Sequence, residues 1–542
     1  MSRNGLKFNG VEEKLFSGKG VRAESVVLDE KEIKSCLLSL DRTSYMVIKD
    51  GLLGISTDEP CDIVAGEEGS YAAILAAVPP MEPDQLGDAS FREAHGLRYS
   101  YFGGSMANGI SSAEMVIALG QQGFLCSFGA GGLLHDKILS SIQKIKQALP
   151  NGPYACNLIH SPSEPALEKM TVDLFLEQGV TLIEASAFLA LTPSVVRYRA
   201  AGLSVDAAGN IQIQNRIIAK VSRREVAERF IRPAPLKILQ ELVSEGLITE
   251  QQAALAQQVP MADDITAEAD SGGHTDNRPL VSLLPSIIAL RDRIEAESAS
   301  PIHVRVGVGG GIGTPEAALA AFAMGAAYIV TGSINQACVE ADIGEHVKKI
   351  LAEADMAEVQ MAPAADMFEM GVKVQVLKRG TLFPMRAQKL YDLYKDYDSI
   401  ESIPEKEREN LEKRFFQKSI DSIWEETQTY FSERDPQQIE RARQNPKRKM
   451  ALIFRWYLGL SSLWALQGVA GREMDYQIWS GPAIGAFNSW TQDTPLAKPG
   501  NRRVADVARQ IMTGAAYLSR LQYLKLLGFH LPPTLTSFSP ES

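Results

Sequence analysis

Polar and glycine residues recur where strand-like stretches give way to turns: Met106, Asn108, Asn157, Glu184, Lys220, Asp270, His274, Gly310, Gly311, Gly332 and Ser333, with Gly104, Gly272 and Gly273 beside them. The glycines carry the clearest chemistry. An alternating apolar run, Ile302, Val304, Val306 and Val308, reads as a buried strand and ends in Gly309, Gly310 and Gly311. Thr314 then suits an N-cap, Pro315 the first helical position, and Glu316 adds negative charge to the first turn. One strand later, 327–331 runs into Gly332-Ser333. Three glycines alone read equally well as a tight turn. Two such turns one unit apart, one of them opening a capped helix, expose enough backbone N–H groups to cradle a phosphate. No GxxxxGK[ST] loop occurs, and a dinucleotide fingerprint should open a domain rather than close one.

The other polar residues suit a flavin better than a metal or a sugar. A flavin ring needs hydrogen-bond partners along its pyrimidine edge and a cation near N1–O2. Asn157 meets the first need, or merely caps the next turn. Lys220 interrupts the apolar run 217–221 and meets the second, or reaches solvent. His274, on its Gly272-Gly273 turn, is placed to donate a proton or to orient a thioester carbonyl or a nicotinamide. The seven histidines show no HxH or HExxH spacing, and there is no GxSxG elbow. Cys338 reads as core rather than nucleophile. Arg441, Arg443, Lys447, Arg448 and Lys449 form a basic cluster. It is either a solvated helix end or a docking patch for an acidic partner such as an acyl carrier protein.

The elements that must position these residues alternate. Strand-like runs at 99–102, 124–128, 154–159, 180–184, 217–221 and 265–268 each lead through a turn into helical sequence; His160-Ser161-Pro162 is one such turn. With 302–308 and 327–331 they make eight βα units in about 250 residues, the length of a TIM barrel. A doubly wound open sheet is the alternative, and phosphate turns in the last two units favour the barrel. Residues 210–213, after 206–209, look like a hairpin insertion. The predicted fold is α/β: a (β/α)8 barrel at 91–355, a β-rich N-terminal piece at 1–90 and a mainly helical domain at 356–542. In the first piece Lys49-Asp50-Gly51 is a hairpin turn, 25–28 a strand and 81–88 a linker. The last domain covers or flanks the active site, and its aromatics make a homodimer interface plausible.

The chain of 542 residues has room for several domains, and its balance of 45% apolar and 22% charged residues is ordinary for a globular protein. A net charge of −11 argues against nucleic-acid binding. Five scattered cysteines without CxxC spacing argue against a disulfide framework or structural zinc. The first sixteen residues lack a signal-peptide core, and no apolar run is long enough to span a membrane, so the cytoplasm is the expected location.

GGHTD (272–276), VGVGGGIGTPEAA (306–318) and TGSINQA (331–337) resemble the FMN-binding barrel of nitronate monooxygenases and FMN-dependent enoyl-acyl carrier protein reductases. EASAFLALTPSVVRYRAAGL (184–203) and WSGPAIGAFNSW (479–490) narrow this to the PfaD-type enoyl reductases of polyunsaturated fatty acid and trans-acyltransferase polyketide synthases. The resemblance covers nearly the whole chain. It implies that NADPH reduces FMN and that hydride then passes to the β-carbon of a trans-2-enoyl thioester on acyl carrier protein, with other synthase subunits as partners. His274 would be the catalytic residue. Gly104, Met106, Asn157, Lys220, Asp270, Gly272, Gly273, Gly310, Gly311, Gly332 and Ser333 would hold cofactor. The wider family has Gly-Gly-His-x-Gly, whereas Asp276 stands here in place of the last glycine. A nitronate monooxygenase-like oxidase and a non-catalytic scaffold are the alternatives.

Overall fold

The computed structural model describes residues 7–8, 18–160, 162, 165–298 and 303–540. Eight parallel strands close into a barrel: β1 Tyr101–Gly103, β2 Leu125–Phe128, β3 Ala155–Ile159, β4 Leu182–Ser186, β5 Arg216–Val221, β6 Asp264–Glu268, β7 Arg305–Gly309 and β8 Ile329–Thr331. The ring is sealed where β8 pairs with β1, Ile329 opposite Tyr101 and Thr331 opposite Gly103. This is the expected TIM barrel, not the open sheet. Ile302, expected in the seventh strand, Ser161, expected in the turn after the third, and most of the 1–16 segment lie outside the described residues. The predicted insertion is a hairpin of Leu203–Val205 and Ile211–Ile213.

The barrel interior is layered. Phe102, Leu125, Ala155, Leu182, Ile218 and Val330 fill its lower part with hydrocarbon. A helix, Ala89–His95, follows the stretch read as a linker and plugs the N-terminal end. Its Phe91 stacks on Tyr328 with ring centroids 4.1 Å apart. His95 Nε2 lies 2.8 Å from Asp264, whose carboxylate also pairs with Arg305 at 2.6 Å. Above the hydrocarbon layer the register brings Glu184 level with Asn157 on β3 and Ile218 on β5. Because side chains alternate along a strand, Ile218 and Lys220 share a face, and Lys220 points inward one layer higher.

Ahead of the barrel, Leu52–Ser56, Ser44–Lys49, Tyr71–Val78, Lys19–Arg22 and Cys61–Asp62 form, in that order, a five-stranded antiparallel sheet. Asp50 and Gly51, at φ 52° and 74°, make the expected hairpin turn. The 25–28 stretch contributes only a lone bridge, Val27 to Ile55, rather than a strand. After it comes an unanticipated helix, Glu30–Leu38, capped by Asp29.

Beyond the barrel, Val359–Pro363 and Lys373–Leu377 form a three-stranded sheet with Gly273–His274 from the loop after β6. The helices Phe383–Asp396, Ile420–Arg434 and Pro446–Gln467 gather around a second core that includes Phe368, Phe416, Phe454 and Tyr457. The last long helix, Val504–Leu526, packs instead on the barrel helix Pro315–Ala323. A Cβ on Gly514 would lie 2.5 Å from Pro315 Cγ, so that contact is nearly backbone to ring. Among the described residues no helix is long and apolar enough to cross a membrane.

Arg520 on this last helix is fully buried. It donates to Leu37 O (3.1 Å), Ser39 O (2.8 Å), Arg42 O (3.0 Å) and Ser44 Oγ (2.9 Å), fastening the N-terminal sheet to the far end of the chain. Arg520→Met should strand these acceptors at a cost of about 3 kcal/mol. Hydrogen exchange in the strands of 19–78 should then accelerate roughly a hundredfold while β1–β8 stay protected. Uniform acceleration across the chain would show that Arg520 is not a local fastener.

Candidate active site

The C-terminal ends of the barrel strands open into a cavity of about 380 Å³. Gly104, Met106, Asn157, Lys220, Asp270, Gly272, Gly273, His274, Gly310, Gly311, Gly332 and Ser333 all line it. Glu184 sits just beneath, fully buried.

The glycines divide by what presses on them. Gly310 has φ 90°, and a Cβ there would lie 2.6 Å from the Ala269 carbonyl carbon and 2.9 Å from Asp270 O. Conformation and space both demand glycine. At Gly311 (φ 75°) and at Gly332 a Cβ would meet nothing within 4 Å, so their backbones face open cavity. Thr314 Oγ1 accepts from Ala317 N–H at 3.3 Å, giving the expected cap. Gly272 is constrained differently: a Cβ there would come 2.8 Å from Ser480 Cα, so this glycine makes room for the appended chain. That chain also reaches the last turn, where Gly481 N–H donates to Ser333 Oγ at 2.9 Å.

Charge concentrates on the cavity floor. Lys220 Nζ lies 3.5 Å from Glu184 Oε1 and 3.6 Å from Glu268 Oε1, with 19% of its side chain exposed. Glu184 Oε2 also accepts Ser105 N–H at 2.8 Å. Burial alone would lower the Lys220 pKa, but Glu268 and Glu184 more than reverse this and hold the ammonium well above its usual range. The solvent-facing reading of Lys220 therefore fails. Asn157 Nδ2 donates to Glu184 O (3.1 Å) and Ser186 Oγ (2.9 Å), tying β3 to β4; among the described residues its Oδ1 has no hydrogen-bond partner. Asp270 Oδ1 accepts from Gln375 Nε2 of the appended sheet at 2.7 Å and from Asn277 Nδ2 of its own loop at 2.9 Å.

His274 stands in the short strand of the loop after β6, opposite Val374 of the appended sheet. Its Nε2 lies 3.2 Å from Asp366 Oδ1. Burial lowers the imidazole pKa, but the hydrogen bond and charge of Asp366, with Glu268 behind, raise it overall against a small opposing effect of Lys220. Asp276 turns the other way. The Arg223 hydrogen bond leads in holding its carboxyl at about 2, and Ser222 also donates to it, at 2.6 Å. Its side chain does not line the cavity. Backbone strain gathers nearby: Asn108 (φ 59°) and Ala187 (φ 63°) line the cavity, and Asn277 (φ 48°) closes the His274 loop.

Sequence reasoning missed Asp366 and Gln375; Trp479 was quoted within 479–490 without a site role, and it lines the cavity. Asp366 lies 92 residues from His274 and carries no local signal. It also missed His160, whose Nδ1 is 2.8 Å from the buried Glu168 and which lines the cavity; the strand-end rule that selected Asn157 would have found it. The basic cluster is partly paired within the chain, Arg443 with Glu440, Lys447 with Asp398 and Lys449 with Glu401, and does not line the cavity. Cys338 is fully buried core, and its burial pushes the thiol pKa up.

Known proteins place this geometry. The enoyl reductase domain of MlnA, from the macrolactin biosynthesis cluster of Bacillus amyloliquefaciens, superposes with a TM-score of 0.77 at 41% identity, over 81% of this chain and 100% of that one. The chain belongs to the family of this enoyl reductase domain. A polyunsaturated fatty acid synthase subunit of Thraustochytrium sp. is 51% identical over 510 residues, 93% of this chain and 33% of that protein. Polyketide biosynthesis protein PksE of Bacillus subtilis is 46% identical over 436 residues, 80% of this chain and 56% of that protein. The chain thus spans about a third of the length of the synthase subunit it matches. Residues 397–476 match the family described as the inserted helical domain of [acyl-carrier-protein] S-malonyltransferase.

In this family member the raised His274 pKa keeps the imidazolium to higher pH than an ordinary histidine, near 6.5, and loses it only as pH rises through that raised value. Asp366→Asn should move the His274 titration, followed by NMR, to lower pH. An unchanged titration would show that Asp366 does not govern its charge.

Proposed function

We propose that this chain is an FMN-dependent reductase of trans-2-enoyl thioesters carried by acyl carrier protein, with NADPH as reductant, working beside the other subunits of a polyunsaturated fatty acid or polyketide synthase. The observation that carries the reading is the sharing of one cavity by two open glycine turns, a lysine kept charged by two glutamates, and a histidine braced by a carboxylate. The likeness to the MlnA enoyl reductase domain supports it, as does the match of 397–476 to an insert of a transferase acting on acyl carrier protein.

The residues fit FMN. Gly311 and Gly332 offer backbone with open space in front of it, as a phosphate requires, and Asn157 Oδ1 is an uncommitted acceptor for a ring N–H. When bound, the flavin supplies two-electron transfer from the nicotinamide to the enoyl β-carbon. The protein does the rest. Lys220 provides fixed positive charge for the negative charge that accompanies reduction, and its two glutamates keep it protonated. His274 delivers the proton to the α-carbon or steadies the thioester oxygen. Asp366 acts through His274, orienting the ring and favouring its charged form.

The first test is anaerobic NADPH consumption with and without an enoyl thioester. Consumption that depends on the thioester and yields the saturated product is expected. Oxygen-dependent turnover of a nitronate, with no thioester reduction, would overturn the assignment. A second test addresses the phosphate cradle. Gly311→Asp places a side chain and a negative charge in it, so the folded variant should purify colourless. A yellow variant with full flavin content would refute that placement.

A further inference from the structure

The cavity has a second wall, built by the appended chain. Leu458, Gly459 and Ser462 of the helix Pro446–Gln467 line it, together with Val374 and Trp479. Ser462 and Gln477, the uncharged polar side chains on this wall, are hydrogen-bonded within the protein. Ser462 Oγ donates to Gly459 O of its own helix at 2.9 Å. The Gln477 amide, oriented to satisfy both neighbours, donates to Leu458 O and accepts from Trp479 Nε1–H, each at 2.9 Å. The wall therefore presents hydrocarbon and the face of an indole. An aliphatic chain needs no polar partner from such a wall.

Gly459 lies well inside a 22-residue helix, where glycine is poorer than alanine for backbone entropy alone. A Cβ there would meet nothing within 4 Å, so packing against protein does not require the glycine. What a side chain would enter is the cavity.

We propose that this wall seats the aliphatic part of the acyl substrate, and that Gly459 determines how long and bulky a chain is accepted. The proposal rests on the enoyl-thioester reading above and adds where the chain lies. The test is calorimetric binding of saturated acyl N-acetylcysteamine thioesters, one four-carbon and one twelve-carbon, to the flavin-loaded protein. The wild type should prefer the long chain, and Gly459→Leu should cut the ratio of long-chain to short-chain affinity by about tenfold. Gly459→Ala, which the helix should tolerate well, should lower the same ratio by a smaller factor; its effect keeps the test decisive if the leucine variant does not fold. Equal affinities for both lengths in the wild type, or a ratio untouched by either variant, would overturn the proposal. Parallel turnover with crotonyl thioester separates the two claims. Selective binding without reduction would sink the functional reading and leave the chain seat standing, while reduction with no length selectivity would do the reverse.

Discussion

The ladder between Gly273–His274 and Lys373–Leu377 is the constraint on which the site depends. The loop after β6 runs through positive φ at Gly273 and Asn277, conformations that a free loop would populate only in part. Two strand pairs fix it, and Gln375 adds bonds from Nε2 to Asp270 Oδ1 (2.7 Å) and Ser271 O (2.8 Å). The same appended segment brings Asp366 to His274. One side of the loop is thus held by backbone, the other by amide and carboxylate, and the imidazole has little freedom left. A catalytic group on a loop gains accuracy when neighbours remove its alternatives.

The two ends of the barrel use buried charge for different ends. At the bottom, Asp264 meets His95 and Arg305 in a sealed cluster under an aromatic plug. Nothing there faces the active-site cavity, and the balanced charge only keeps the plug in place. At the top, one ammonium sits between two carboxylates and opens onto the cavity. The excess negative charge is felt by His274 through Glu268, while Lys220 opposes it. In barrel enzymes it is this C-terminal face that carries chemistry, the other end stability.

Much of this was legible from spacing. A period of βα units, a capped helix after three glycines and polar residues at strand ends were enough to bring thirteen residues to one cavity, because strand-end position in a barrel is itself a spatial coordinate. Lys220 stood out for the same reason, as a charge inside an apolar run. What stayed hidden came from pairings distant in sequence. The run 359–363 is too short and mixed to announce a strand, and 373–377 acquires its partner only from the His274 loop. Gly272 looked like a ligand contact, yet what forbids its Cβ is Ser480, more than two hundred positions away. The helix Ala89–His95 was overlooked because it directly follows a stretch rich in Pro, Gly and Asp that reads as a turn.

The appended segments meet the barrel at the site through backbone as well as side chains. Gly272 packs directly on Ser480 and Gly481 N–H donates to Ser333 Oγ, while the lone bridge of Val376 with Trp479 ties the appended strand to the 479–481 loop. Close-packed backbone has few alternative arrangements, so a displacement of the 479–481 loop must move both the His274 loop and the last glycine turn. The hydrocarbon wall and the charged floor of the cavity are thus joined through direct contacts. The cavity's shape is set jointly by the strand ends below and the appended helix above, although these parts are separated by much of the chain.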